Sequence, residues 1–348
     1  MRPVLLVGSV PLEDAATVFS AAAKALGPLA ARLPDGETGA RRNWIGWQHA
    51  VFARVPQLEP TAERQRNYQL HPPFNLKPGA VAPDIDFGEL GFAREALASW
   101  EIFERLKATG RVPAGCKFQV ALPTAWAPVY SFIAYESQAA VAPVYEAALL
   151  GELRRILDAI PHDALAVQWD VATEMSWWER VYPAPFENVE EGVVDHLVRL
   201  GRAVPADVEL GFHLCYGSMN NRHWKEPADT ANLTAVANRL AAALDRPIGW
   251  LHLPVPIDRR DDAYFAPLGG LRLDAGTELY LGLLHLDDGV AGARARMAAA
   301  ERHVGRFGIA AECGLGRVPR ERVGGWLELH AAAAAAWMDD GIMDGTSG

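Results

Sequence analysis

Short apolar runs alternate along the chain with longer segments of helical pattern. The runs are dense in hydrophobic residues rather than strictly alternating, which is typical of parallel strands buried on both faces. Candidate strands lie at 3–8, 29–33, 117–122, 165–170, 209–214, 249–254, 278–284 and 308–313, and candidate helices at 13–26, 140–160, 188–203, 228–244, 289–306 and 321–338. This alternation predicts a single-domain α/β protein, a (β/α)8 TIM barrel.

The predicted barrel occupies residues 1–340 as one domain, and no linker divides it. The longest irregular stretch, at about 34–92, is rich in Pro, Asn and Trp and is expected to form a long loop after the second strand. Residues 341–348 are expected to be a frayed, disordered tail, since chain ends are the usual place for such segments.

Composition and charge narrow the class of protein. The chain has 348 residues and is 50% hydrophobic, which is enough for a large core. Its net charge of -10 argues against a nucleic-acid partner. Three cysteines are too few for a disulfide framework, and no apolar run is long enough for a signal peptide or a membrane span. A soluble, cytoplasmic protein without nucleic-acid or membrane partners is expected, with its oligomeric state left open.

His213 and Cys215 lie two residues apart at the end of a predicted strand, so both side chains point to the same face. Cys313 ends the last predicted strand, and barrel active sites lie at these carboxyl ends. Thiolate and imidazole are preferred zinc ligands, and three of them leave one position open for catalysis. Cysteines can also be small core residues. We favour a zinc site because two of the three cysteines fall at strand ends, whereas Cys116 precedes its strand and is interpreted as a core residue.

Polar side chains also follow the other predicted strands. They include Ser9, Asp35, Glu37, Thr124, Asp170, Glu174, His252, His285, Asp287 and Glu312. His285 and Asp287 are candidates for the acid that protonates a leaving group, although each also suits a structural role. Arg41 and Arg42 follow the GETG turn and could bind an anionic tail.

Six segments occur in an informative order: GSVPL, LPDGETGARRNWI, ALPTAWAPVYSF, VQWDVATE, GFHLCYGS and AAECGLGR. Through them the chain resembles the catalytic domain of cobalamin-independent methionine synthase over nearly its whole length. The H-x-C-Y-G and E-C-G-L-G motifs are the strongest. In size the chain is similar to the stand-alone members of that family, which include archaeal methionine synthases and epoxyalkane:coenzyme M transferases.

The resemblance implies a role for particular residues. It assigns His213, Cys215 and Cys313 to zinc, Gly8 and Ser9 to the thiol substrate's site, Glu37 and Asp170 to the substrate amine, and Trp126 to the neighbourhood of the methyl donor. The family's Asp-Glu-Pro reads Asp-Val-Ala-Thr-Glu here, with Glu174 as a further candidate for substrate binding. The family's fourth zinc ligand, a glutamate, is absent. Either His252, which stands close to that position, replaces it, or the metal uses three protein ligands.

Three functions are compatible with these features. The favoured one is a zinc-dependent transferase that moves a methyl or alkyl group from a small-molecule donor to a thiol, with Asp170, His285 and Asp287 as catalytic candidates. The second is a zinc-dependent lyase or demethylase for a bulky or aromatic substrate. It draws on tryptophans near the strand ends, namely Trp44, Trp47, Trp126, Trp169, Trp177, Trp178 and Trp224. The third is a non-catalytic zinc- or ligand-binding barrel. A metal-free barrel of the uroporphyrinogen decarboxylase type ranks low, since it has no need of paired cysteines.

Overall fold

The computed structural model describes residues 2–62, 72–217 and 222–343, with side chains as far as residue 336. The strands are β1 (Val4–Leu5), β2 (Arg32–Pro34), β3 (Leu58–Pro60), β4 (Phe74–Leu76), β5 (Lys117–Pro123), β6 (Leu165–Val171), β7 (Glu209–Leu214), β8 (Trp250–Pro254), β9 (Glu278–Leu284) and β10 (Gly308–Ala311). The α-helices are α1 (Ala15–Leu26), α2 (His49–Ala53), α3 (Phe92–Ala108), α4 (Trp126–Phe132), α5 (Tyr135–Ala159), α6 (Thr173–Trp178), α7 (Val189–Arg202), α8 (Ala231–Ala243), α9 (Asp262–Phe265), α10 (Gly289–Glu301) and α11 (Val323–Met343).

Eight strands form one parallel sheet in the order β1-β10-β9-β8-β7-β6-β5-β2, with helices between them. The sheet curls into a nearly closed barrel, which confirms the predicted TIM-barrel fold. The loops that follow β1 and β2 are joined by a hydrogen bond from Val10 N to Gly36 O at 2.9 Å. Inside the barrel, the amides of Gln119 and Gln168 donate to the Val7 carbonyl at 3.0 and 2.6 Å. These contacts tie β1 to β5 and β6 across the seam.

The barrel interior is filled by its own apolar cluster. It contains Leu5, Val7, Ala166, Trp250, Tyr280 and Ala310. Below this cluster, Arg32 forms ion pairs with Glu209 and with Glu278, the first residues of β7 and β9. Its guanidinium also lies over the Trp250 ring, 4.4 Å from the ring centroid. The amino ends of the strands are therefore closed by a charged plug, and the open end of the barrel is the carboxyl end.

The predicted strands are all present, although β1 is reduced to two residues. The stretch at 34–92 is more structured than the long loop expected there. It contains the short helix α2 and an antiparallel pair of strands, β3 and β4. Helix α3 follows directly, and the sequence pattern did not predict it. Helix α11 continues to Met343, and residues 344–348 of the expected tail lie outside the described residues.

A buried carboxylate explains where α3 begins. Glu152, on α5, is fully buried and accepts hydrogen bonds from the backbone N–H groups of Leu90 (2.8 Å), Gly91 (3.3 Å) and Ala93 (2.6 Å). A negative charge is favourable at the amino end of a helix, where backbone N–H groups lack intrahelical partners. The cap thus comes from a distant helix instead of the adjoining sequence.

None of the helices in the described part of the chain is both long and apolar enough to cross a membrane.

Candidate metal centre and its two chambers

His213, Cys215 and Cys313 meet at the carboxyl end of the barrel. One ligand atom from each lies within 4.8 Å of the other two. The two Sγ atoms are 3.7 Å apart, and Cys313 Sγ is 3.7 Å from His213 Nε2. Zinc–sulfur bonds of about 2.3 Å in a tetrahedron give a sulfur–sulfur edge of about 3.8 Å. The spacing of the two thiols therefore fits a tetrahedral zinc ion.

His252 lies behind His213 and outside this group of three. Its Nδ1 is 2.7 Å from His213 Nδ1, and its Nε2 is 3.0 Å from the Ala311 carbonyl. Burial, with the neighbouring His213, holds the pKa of His252 well below its usual value, so this imidazole is neutral. With its proton on Nε2 it donates to Ala311 and accepts from His213 Nδ1–H. Both nitrogens of His252 are occupied, so the geometry favours three protein ligands with His252 orienting His213 over the alternative of His252 as a fourth ligand.

A glycine on β9 makes room for this arrangement. A Cβ atom at Gly282 would lie 3.2 Å from His252 Nε2 and 2.7 Å from the Cα of Glu312. Contacts this short require β9 or its neighbours to move. The glycine therefore lets the strands approach closely enough for His252 to support His213.

The donor set suits zinc chemically as well as geometrically. The contact with Cys313 and burial together raise the pKa of the Cys215 thiol well above its ordinary value. Two thiolates this close, one buried and one part-buried, need a cation to compensate their charge, and thiolate–imidazole sets are typical of zinc. His213, Cys215 and Cys313 would hold the ion, and the remaining tetrahedral position would be open to a substrate.

A small cavity of about 50 Å³, here named the inner chamber, lies on one side of the thiols. Its walls include Gly8, Ser9, Glu37, Arg42, Trp44 and Asp170, together with His213, Cys215 and Cys313. The predicted residues of the thiol substrate's site thus share one cavity with the predicted metal ligands. Its size limits it to a small, compact group.

Two carboxylates dominate the electrostatics of the inner chamber. Burial and then the charge of Asp170 raise the pKa of Glu37 to about 8, although Ser9 Oγ donates to Glu37 Oε2. Burial raises the pKa of Asp170 to about 6, against the opposing effects of His213 and of the Gln168 amide. Like charges at a buried site disfavour joint ionisation, and a bound cation removes that penalty. The chamber is therefore suited to a positively charged group such as an ammonium.

The backbone is strained where the chamber wall is built. Glu37 has φ of 51° and Trp44 has φ of 49°, both in the left-handed region that non-glycine residues seldom adopt. Trp44 Nε1 donates to Asp170 Oδ2 at 3.3 Å, and the Gln168 amide donates to Asp170 Oδ1 at 2.9 Å. Strained residues of this kind concentrate at functional sites, because the surrounding structure holds them in place.

A larger cavity of about 400 Å³, here named the outer chamber, also reaches the thiols. It is bounded by residues that follow β7, β8, β9 and β10, including Tyr216, His223, His285, Glu312, Leu315 and Trp326. Cys215 and Cys313 line both chambers, as do Gly217, Gly314 and Arg317. A sulfur atom held at the candidate metal site would therefore border both cavities.

The two predicted acids occupy the outer chamber in different ways. His285 donates from Nε2 to the Val255 carbonyl at 2.8 Å, and its Nδ1 is 4.0 Å from Glu312 Oε2. Burial lowers the pKa of His285, so the single proton of this neutral ring is already used. The Asp287 side chain is 75% exposed and pairs with Arg322 at 2.9 Å. Neither geometry presents a free proton to the metal site.

Two predicted substrate-binding residues lie elsewhere. Trp126 is buried on α4 and packs edge-on against Trp177, with ring centroids 5.2 Å apart. Glu174 is fully buried on α6, and its Oε1 lies 3.2 Å from His196 Nε2. Neither is among the described residues that line the two chambers. The short helices α4 and α6 turn these side chains away from the barrel axis and into the packing between helices.

The two arginines after the GETG turn also separate. Arg41 is tied down by Asp35 at 2.9 Å and Glu95 at 3.6 Å. Arg42 is exposed and lines the inner chamber, so of these two arginines it is the one placed to meet an anionic group.

Sequence analysis missed His223. Its side chain is 10% exposed, Nδ1 lies 3.0 Å from Glu226 Oε2, and Nε2 lies 3.2 Å from Glu312 Oε1. His223 does not directly follow a strand, so a search for polar residues at the ends of predicted strands does not find it. Only the fold brings its loop beside the strand end that carries Glu312 and Cys313.

Comparisons with known proteins support the fold. No family model matches the sequence, and no curated protein matches it. The structure is similar to a B12-independent methionine synthase from Shewanella sp. W3-18-1, solved in complex with selenomethionine, with a TM-score of 0.63 and 13% identity over 94% of this chain and 87% of that one. It is also similar to a putative vitamin-B12 independent methionine synthase from Listeria monocytogenes, with a TM-score of 0.57 and 17% identity over 93% of this chain and 86% of that one. At these identities the likeness shows a shared barrel fold.

Proposed function

We propose that this protein is a zinc-dependent transferase that moves a methyl or alkyl group to the sulfur of a small thiol without cobalamin. The observation that carries the proposal is the convergence of His213, Cys215 and Cys313 between two cavities. The similarity in fold to B12-independent methionine synthases adds support, since one of those structures contains selenomethionine, the selenium analogue of a methyl thioether that such a transfer would produce.

The chain's own residues would bind and orient the acceptor. Ser9, Glu37 and Asp170 line the inner chamber beside the thiols, and the two carboxylates suit an amino group on the acceptor. Trp44 and Gln168 hold Asp170 by hydrogen bonds to both of its oxygens. Arg42 at the same wall suits a carboxylate on the acceptor. We therefore expect a small amino-acid thiol.

Bound at the three ligands, zinc would lower the pKa of an incoming thiol, so that the more nucleophilic thiolate is present near neutral pH. The alternative of a lyase or demethylase for a bulky aromatic substrate gains less from the structure. Trp169 and Trp177 are fully buried and Trp126 nearly so, whereas Trp44 lines the inner chamber. Most of the aromatic side chains that suggested such a substrate therefore pack the protein interior.

The proposal is tested by metal content and by thiol binding. About one zinc per chain is expected in protein purified without chelator, and Cys215→Ser and Cys313→Ser should each lose it. Cys116→Ser is the matched control, because Cys116 is a buried cysteine outside the ligand group and should keep the metal.

Homocysteine added to the zinc-loaded protein should release about one proton per site, and methyl iodide should then yield the methyl thioether at a rate that depends on enzyme. A metal-free protein whose cysteine variants behave like the parent would contradict the proposal. So would a zinc protein that releases no proton with any small thiol.

A further inference from the structure

A buried glutamine lies deeper in the barrel than the inner chamber and contacts two parts of the acceptor site. Gln168 is on β6, two residues before Asp170, so both side chains point to the same face of the strand. Gln168 is fully buried and is not among the described residues that line either chamber. Any effect of Gln168 on an acceptor would therefore pass through the groups that it holds.

The side-chain amide of Gln168 bonds to both sides of the barrel seam. Its Nε2 lies 2.6 Å from the Val7 carbonyl and 2.9 Å from Asp170 Oδ1. An amide nitrogen carries two hydrogens, so it can donate to both acceptors together. The Val7 carbonyl leads directly to Gly8 and Ser9. One side chain thus joins the segment that carries Ser9 to the carboxylate of Asp170.

A tryptophan fixes which end of this amide faces Asp170. Trp250 Nε1 lies 3.3 Å from Gln168 Oε1, and an indole N–H is a donor without acceptor capacity. A flipped amide would place its nitrogen against this indole N–H and its oxygen against two acceptors. Trp250 is itself fully buried in the barrel interior, so the amide is held in one orientation. Asp170 therefore receives a fixed donor on one oxygen, while Trp44 donates to the other at 3.3 Å.

We propose that Gln168 is a positioning residue that makes the acceptor site selective for thiols that carry an amino group. The inference rests on the proposed function, in which Glu37 and Asp170 receive that amino group. A carboxylate that is already aimed binds an ammonium more tightly than one that must be ordered during binding, because the ordering costs free energy. Gln168 would supply this order for Asp170 without contacting the acceptor.

The neighbouring strand provides a matched control residue. Gln119 on β5 is also buried, and its amide donates to the carbonyls of Leu6 at 3.1 Å and Val7 at 3.0 Å. Its nitrogen also lies 3.5 Å from Gln168 Oε1, the atom of that amide that faces Trp250. Gln119 thus shares the contact with the segment after β1 but not the contact with Asp170. An effect that passes through Asp170 requires Gln168, whereas an effect that passes through the seam involves both glutamines.

The test measures acceptor binding to the zinc-loaded protein by isothermal titration calorimetry. Homocysteine is compared with 4-mercaptobutanoate, which is the same molecule without its amino group. We expect Gln168→Met to raise the Kd for homocysteine about 10-fold or more, because Asp170 loses a hydrogen bond that holds its charged form. The Kd for 4-mercaptobutanoate should change less than about twofold. Gln119→Met should change both constants less than about twofold.

Two further measurements separate positioning from a general structural role. In an Asp170→Asn background, Gln168→Met should add little further loss of homocysteine affinity, because the two residues act through one contact. With methyl iodide as donor, Gln168→Met should raise the KM for homocysteine while kcat stays within about twofold of the parent. Gln168→Leu repeats both measurements with a branched side chain. Zinc content and cooperative urea unfolding should be retained in the two Gln168 variants.

Several results would overturn the inference. They are an equal loss for the two thiols, an equal loss in Gln119→Met, and a loss of zinc or of cooperative unfolding in both Gln168 variants, since each would show that Gln168 only supports the barrel. A zinc-loaded parent that binds the two thiols equally would overturn it as well. A parent that releases no proton with any small thiol would instead refute the proposed function.

Discussion

The imidazole pair His213–His252 illustrates how a residue outside the candidate ligand group can orient one of its members. His252 accepts from His213 Nδ1 and donates to Ala311, so it fixes which nitrogen of His213 faces the thiols. Outer partners of this kind typically contribute 10- to 100-fold to metal affinity. The sequence alone left open whether His252 binds the metal or supports His213, and the contacts of its two ring nitrogens favour support.

We predict that His252→Phe lowers zinc affinity about 10- to 100-fold while the protein stays folded, because His213 loses the contact that sets its tautomer. Competition with a chromophoric chelator measures the change. His330→Phe is the matched control, since His330 is equally buried and, within the described part of the chain, its hydrogen bond goes to the Trp326 carbonyl on α11. A loss in His252→Phe as complete as that in Cys215→Ser would show that His252 binds the metal directly.

The sequence predicted that His213, Cys215 and Cys313 lie together because its signals are local. His213 and Cys215 share a strand face through their spacing, and Cys313 ends another strand of the same barrel. The position of His252 depends on the register between β7 and β8, where His213 and His252 are directly paired. Register and ring rotation are set by packing, so spacing along the chain could not separate a ligand from its supporting partner.

At the scale of secondary-structure elements, helices α5, α6 and α7 are joined by a cluster of charged side chains centred on a buried histidine. His196 on α7 is fully buried, with Nδ1 3.0 Å from Glu146 on α5 and Nε2 3.2 Å from Glu174 on α6. Burial lowers the pKa of His196, but the two carboxylates outweigh it and raise the pKa above its usual value. Burial raises the pKa of Glu146, whereas His196 and Arg199 lower it to about 2.

This cluster predicts how stability depends on pH. The stabilisation from His196 is complete below its unfolded pKa of about 6.5 and is lost as pH rises through its raised folded value. The stabilisation from Glu146 is present above its unfolded pKa of about 4.3 and is lost as pH falls toward 2. We expect the cluster to contribute most between about pH 4.5 and 6.5.

Urea unfolding of the parent and of His196→Gln checks this expectation. The variant should be less stable by about 3 kcal/mol near pH 6, because it leaves the fully buried Glu174 without its cation, whereas Glu146 keeps its ion pair with Arg199. The difference should shrink as pH rises above the His196 pKa. His162→Gln, at an exposed ion pair, should show a small difference that varies little over the same range. If the difference in unfolding free energy between the parent and His196→Gln stayed constant up to pH 10, the charged state assigned to His196 would be wrong.

Elements with a complete local signal were predicted well, and those without one were missed. Strands β5 to β9 are continuous apolar runs, and their bounds lie within a residue of those expected. Helix α3 lacked a capping residue in its own sequence because Glu152, 60 positions beyond Phe92, supplies the cap. Trp126 and Glu174 follow the predicted strand ends, but the helices that carry them bury Trp126 against Trp177 and Glu174 against His196.

At the scale of the whole molecule, the candidate site and the ion pairs of Arg32 that stabilise the fold lie at opposite ends of one barrel. The carboxyl end holds the thiols, the strained residues Glu37 and Trp44, and both chambers. The amino end holds the plug formed by Arg32 with Glu209 and Glu278. This division is common in TIM barrels, because loop variation at the carboxyl end leaves the opposite end free to stabilise the fold.

We predict that Arg32→Met lowers the free energy of unfolding by about 2 kcal/mol or more while leaving zinc stoichiometry at the parent's value. Removing the guanidinium takes away the cation shared by Glu209 and Glu278. The remaining ion pair of Glu209 with Lys117 at 3.1 Å and the partial exposure of both glutamates keep the cost below that of a fully buried pair. Cys215→Ser should show the reverse, with zinc lost and the metal-free fold retained. Urea unfolding and elemental analysis of the two variants measure both quantities. If Arg32→Met also lost zinc, the two ends of the barrel would be coupled, and the division argued from the structure would be wrong.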